Sequence, residues 1–110
     1  MKIEHKEGYV LISSEEFSFS EFFTFFSNQH KDLTKNNVII NISSNLVANE
    51  EEISLFLEYA DIHRKNGTSF IVVYQNVDMD KFPEIFNIVP TLQEAEDVLE
   101  MENIQRDLGF

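Results

Sequence analysis

VIINISSNLVANEEEISLFLEYADIHRKNGTSFIVV, residues 38–73, is the stretch that decides the fold. Val38, Ile39, Ile40 and Ile42 form a nearly continuous β-branched run, as expected of a strand covered on both faces, and Asn41 interrupts it. Residues 69–74 (SFIVVY) form a second run of the same kind. Between them Asn49 is placed to cap a helix, and Glu50, Glu51 and Glu52 follow in its first turn, where carboxylates oppose the positive end of the helix dipole. Ile53, Phe56, Leu57 and Ala60 then keep the i, i+3, i+4, i+7 spacing of a core-facing side. Lys65, Asn66 and Gly67 end the helix with a cation and a residue free to take positive φ. Two apolar strands joined by one helix of about four turns predict a right-handed βαβ crossover and a parallel sheet in the middle of the chain.

Toward the N-terminus, residues 2–6 and 9–13 alternate in the manner of strands across Glu7-Gly8, which predicts an antiparallel hairpin and an edge strand. Ser18, with Glu21 three residues on, makes a capping box for a helix running to about residue 31. Phe19, Phe22, Phe23 and Phe26 share one face of it and are expected to pack in the core, whereas Phe17 and Phe25 lie off that stripe and suggest an exposed apolar patch. Toward the C-terminus, residues 75–84 are acidic and contain Pro83, residues 86–89 predict a short strand, and Thr91 with Glu94 opens a last helix. Leu92, Ala95, Val98, Leu99 and Glu102 fall on its core side. Leu108 and Phe110 suggest a tail held down on the body, either as more helix or as a docked turn. The sum is an α/β fold with a mixed sheet of four or five strands and helices packed on it, all 110 residues forming one domain.

Twenty acidic against eight basic residues give a net charge of −12. Such a surface repels nucleic-acid phosphates and anionic lipid, so neither is an expected partner. There is no cysteine, which excludes disulfides, thiol chemistry and cysteine-held zinc. The opening MKIEHKEGYV has charges where a signal peptide needs an apolar core, and no apolar run nears the roughly 20 residues of a membrane span, so a cytoplasmic location is expected.

Catalytic groups do not assemble in the sequence. His5, His30 and His63 are far apart, and each is expected to be a surface or packed side chain; no metal is expected among them. The three glycines, none adjacent to another, offer no phosphate-cradling loop. The alternative to a binding protein is a carboxylate site for Mg²⁺ or Ca²⁺ at Asp78, Asp80 and Glu84, although the glycine and distal glutamate of an EF-hand loop are missing. No cofactor is expected, and the chain reads as a non-enzyme.

The order of elements, an N-terminal hairpin, the strand VIINIS, a helix with an acidic start and an Asn-Gly end, the strand SFIVVY and a final helix announced by PTLQEAEDVLE, resembles the STAS domain of anti-sigma-factor antagonists. The resemblance spans nearly the whole chain. More narrowly, the chain is similar to a group of small flavobacterial proteins often called ribonuclease Z, but the histidine cluster that holds two zinc ions in such nucleases is missing. In the antagonists an Asp-Ser-Ser-Gly motif begins the helix after the central strand, and a partner kinase phosphorylates its second serine. Asn49, Glu50, Glu51 and Glu52 occupy the matching positions, so Glu51 stands where the phosphorylated serine would be, as a partial imitation of phosphoserine. The family's helix between its last two strands has too few residues here, at positions 77–85. The resemblance implies a regulatory protein–protein module whose surface comprises Ser43, Ser44, Asn45, Asn49, Glu50, Glu51 and Ser54; phosphorylation taken over by Ser54, or by Ser43 or Ser44, is the alternative to a fixed charge at Glu51. Its expected partner is a basic-surfaced protein of the anti-sigma-factor or kinase-like kind, and the chain itself is expected to be a monomer or weak homodimer.

Overall fold

The computed structural model describes residues 1–109. In chain order the elements are β1 (Lys2–Lys6), β2 (Tyr9–Ser13), α1 (Phe19–His30), β3 (Val38–Ile42), α2 (Glu50–Ser54), α3 (Leu57–Asn66), β4 (Phe70–Tyr74), β5 (Asn87–Val89) and α4 (Leu92–Asp107), with one 3-10 turn, Met79–Lys81, before β5. They form an α/β fold around a five-stranded mixed sheet in the order β1-β2-β3-β4-β5. The hairpin β1–β2 is antiparallel, and β2, β3, β4 and β5 run parallel. Gly8, at φ 89°, makes the hairpin turn in a conformation that a side chain would strain.

Strands that follow one another in space as in sequence step in one direction, and right-handed crossovers then place their connections on one face. On that face α1 and α2, with Phe82 and Phe86 from the β4–β5 connection, pack over Val10, Ile12, Val38, Ile40, Phe70 and Val72. The opposite face, Leu11, Ile39, Ile71 and Val73, is covered by Ala95 and Leu99 of α4. Both faces of β3 and β4 are therefore dry, which is why these strands carry continuous apolar runs. Asn41, the interruption, lies on the α4 side beyond Ile39, level with Ser13 and Val73 at the carboxyl edge of the sheet, where it is half-buried and lines an open hollow beside Thr91 and Leu92.

Three expectations are corrected or narrowed. The helix after β3 is broken: Leu55 and Phe56 bond backward to Glu52 and Ile53 at 3.1 Å, a tighter winding than the α-helical ladder. The tightening sends Leu55 outward, 50% exposed, and drives Phe56 fully into the core. There Phe56 meets Phe19, Phe23 and Phe26 edge-on, with ring centroids 5.7, 5.3 and 5.2 Å away. Secondly, of the two forms expected for the tail the structure shows more helix and no docked turn at Leu108. α4 simply continues to Asp107, leaving Leu108 66% exposed, and Phe110 lies outside the described residues. Thirdly, residues 86–89 shorten to a three-residue β5, because Phe86 turns into the core instead of pairing. Phe17 and Phe25 are exposed, as their positions off the α1 stripe imply.

Candidate functional site

The loop from β3 to α2 leaves the sheet at the carboxyl ends of the parallel strands, the edge where open α/β sheets place their binding surfaces. It is short of regular structure but firmly held. The Ser14 hydroxyl accepts from the Ser43 amide at 2.8 Å, and the Ser43 hydroxyl accepts from the Asn45 amide at 3.2 Å. Leu46 plugs into the core. The Tyr74 hydroxyl at the end of β4 donates to the Leu46 carbonyl at 3.0 Å and accepts from the Ala48 amide at 3.2 Å, clamping the loop from below. Asn49 then closes a full capping box: its side chain accepts from the Glu52 amide at 2.8 Å, and the Glu52 carboxylate accepts from the Asn49 amide at 3.0 Å.

This arrangement decides which groups face outward. Ser44, Asn45, Asn49, Glu50 and Glu51 are exposed, while Ser43 and Ser54 are half-buried. Val47, held between Leu46 and Ala48, is 85% exposed. Glu52 is taken up by the cap, but Glu50 and Glu51 have no ion-pair partner among the described residues. Val47 and Leu55 thus bracket two unpaired carboxylates on a braced turn. A hollow lies on each side of the loop. One of about 130 Å³ is walled by Ala48, Glu50, Ile53, Tyr74 and Phe82; the other, about 500 Å³ and open, lies over the ends of β2 and β3, among Ser13, Asn41, Ser43 and Thr91.

The acidic stretch after β4 has a structural use. The Asp78 side chain accepts from the Asp80 amide at 3.2 Å and caps the 3-10 turn. Among the described residues no three of histidine, aspartate or glutamate gather into a group able to hold a metal ion, so Asp78, Asp80 and Glu84 are not brought together as ligands.

Two of the three histidines do meet, which the sequence reading missed. His30 closes α1 and His63 lies near the end of α3; both are buried, and their Nε2 atoms are 2.7 Å apart. The signal was available: His30 follows Phe26 by four residues and His63 follows Phe56 by seven, so each imidazole extends the core side of its helix. Burial pushes His30 below the ordinary histidine value, and burial together with the facing His30 pushes His63 down to about 4. His5 stays exposed on β1. Glu102, expected on the core side of α4, is half-buried and accepts from the Ser69 hydroxyl at 2.5 Å and the Asn87 amide group at 2.8 Å, tying α4 to the starts of β4 and β5.

No protein-family model matches the chain, and no curated protein matches it. Among the described residues no helix is long and apolar enough to cross a membrane.

Proposed function

We propose that this chain is a non-catalytic, STAS-like interaction module of the cytoplasm, which docks a basic protein surface through the β3–α2 loop and the first turn of α2. The observation that supports it is the braced turn on which Val47 and Leu55, 85% and 50% exposed, flank the unpaired Glu50 and Glu51. Apolar contact gives such a surface affinity, and the carboxylates give it sign and orientation. The loop is held by Ser14, Tyr74 and Asn49, so a partner meets a preformed shape and spends little binding free energy ordering it. By its likeness to the antagonists, the partner is an anti-sigma-factor or kinase-like protein. Glu51, in place of the phosphorylated serine, makes the association independent of phosphorylation.

The test is affinity capture from the source cell, with bait phosphorylation read in the same experiment. Wild-type bait is compared with a Glu50→Gln, Glu51→Gln, Val47→Ser variant, which leaves the Asn49–Glu52 cap intact. One recurrent basic partner, lost in the variant and captured by unphosphorylated bait, is the expected result. Identical partner sets from both baits would refute the site.

A further inference from the structure

We propose that His30 and His63 form an acid-released latch that fastens the end of α1 to the end of α3 and to the start of β4. The two rings touch nitrogen to nitrogen, 2.7 Å apart, which only one shared proton permits. The Thr68 hydroxyl lies 3.3 Å from the His63 carbonyl, to which it donates, and 2.8 Å from His63 Nδ1. The hydroxyl oxygen therefore accepts from Nδ1–H of His63, His63 Nε2 is the acceptor of the pair, and His30 Nε2–H is its donor. A second proton goes either to Nε2 of His63, which sets two N–H groups head to head, or to Nδ1 of His30, which places an imidazolium among the rings with no carboxylate paired to it among the described residues.

The enclosure is largely aromatic. From α1 comes Phe26, from α3 Tyr59, and from β4 Phe70, with centroids between 4.7 and 6.2 Å from one ring or the other. The Tyr59 ring, 4.7 Å from that of His30, is titratable but carries no charge in acid. Thr68 and the Asn36 carbonyl complete the surroundings, and the carbonyl alone favours a proton on His63. No carboxylate among the described residues forms an ion pair with either imidazole, although the chain has 20. In a molecule of net charge −12 an isolated histidine would ordinarily sit among acids that favour its charged form. This pair has no ion-pair partner among the described residues.

The latch has a defined reach. Residues 31–37 span from His30 to β3, and Asn66 at the end of α3 holds them with a bond from its side chain to the Thr34 carbonyl at 2.9 Å. The Asn37 side chain donates to the Gly8 carbonyl at 3.1 Å and accepts from the Ser69 amide at 2.8 Å. Protonation opens this corner and leaves the distant β3–α2 loop closed, since the latter is held by Tyr74 and the Asn49 cap. Sensing is thereby separated from the docking surface proposed above and does not depend on it.

The experiment is imidazole and amide NMR on the wild-type chain between about pH 7.5 and pH 4.5, with hydrogen exchange read alongside. Three results are expected. His30 and His63 stay neutral well below the ordinary histidine value, with His63 protonated on Nδ1 and His30 on Nε2. Opening of residues 30–37 and 63–69, corrected for intrinsic exchange, rises by about tenfold or more per pH unit below the ordinary histidine value, while β3 does not follow. A His30→Phe, His63→Leu variant, apolar throughout the corner, loses that pH dependence. The latch is overturned if His30 and His63 take up protons at the ordinary histidine value, if opening is equally steep in β3, or if the double variant keeps the wild-type slope.

Discussion

Replacing Phe56 with alanine removes the ring on which the helical side of the core converges. Phe56 is fully buried, and Phe19, Phe23 and Phe26 present their edges or faces to it from α1 while Phe70 lies 6.1 Å away on β4. Phenylalanine-to-alanine changes in cores cost about 3–5 kcal/mol, and a site walled by rings on two elements collapses poorly, which places this one at about 4–5 kcal/mol. Unfolding entropy of about 2.1 cal/mol/K per residue, over 110 residues, converts that loss to a fall in Tm of about 20 °C. Phe56→Leu keeps most of the apolar volume and forfeits the three edge-on ring contacts; at about 0.5–1.5 kcal/mol each, partly returned by the leucine methyls, the expected cost is about 2 kcal/mol. Phe17→Ala, at a fully exposed ring, stays within about 0.5 kcal/mol of wild type. Urea melts of the three variants, with equal slopes, give the comparison directly. A Phe56→Ala loss below about 2 kcal/mol would refute the reasoning, since the tightened turn at Leu55 would then serve no packing purpose.

Other outcomes are equally specific. Acidification lowers stability through the buried imidazoles: a folded value of about 4 against an unfolded value of 6.5 means that the unfolded chain takes the proton first, so stability is lost as pH falls, by about 2 kcal/mol from His63 between pH 7 and pH 5, measurable in melts across that range. Tyr74→Phe removes both bonds of the loop clamp, costs about 1–2 kcal/mol and speeds amide exchange at Leu46 and Ala48 while leaving β1–β2 unchanged. Asn49→Ala removes the cap of α2 and costs about 1 kcal/mol in the same melts, with partner capture falling in parallel because Glu50 and Glu51 lose their fixed placement.

The backbone plan was legible because each segment states its own period. Residues 38–42 and 70–74 are too continuously apolar for a one-sided strand, and Ser18, Asn49 and Thr91 mark three helix starts where the caps are found. What could not be read was whatever depends on two distant segments. The break at Leu55 has no helix-breaking residue near it to announce it, and its companion is the packing of Phe56 against the α1 phenylalanines. The meeting of His30 and His63 needs the α1 and α3 ends to coincide, although each histidine already lay on its helix's apolar side. Leu108, apolar and near a terminus, invites a docked reading, yet it is 66% exposed at the end of α4. For the candidate site, Asn49, Glu50 and Glu51 were legible as a capped acidic turn, whereas the exposure of Val47 and the Tyr74 clamp appear only once β4 stands beside β3.

The rims of the sheet bear on how this molecule is recognised. β1 carries Lys2, Glu4 and Lys6 on one side, with both lysines drawn to Glu4 at 3.2 and 3.9 Å, and β5 at the other rim is only three residues long. A charged border and a stub are both poor templates for another chain's backbone. Strand addition, the route by which many sheet proteins capture extended peptides or lose themselves to aggregation, is discouraged on both sides. A partner is then expected to read side chains, and copies of the chain find little at either rim on which to anneal.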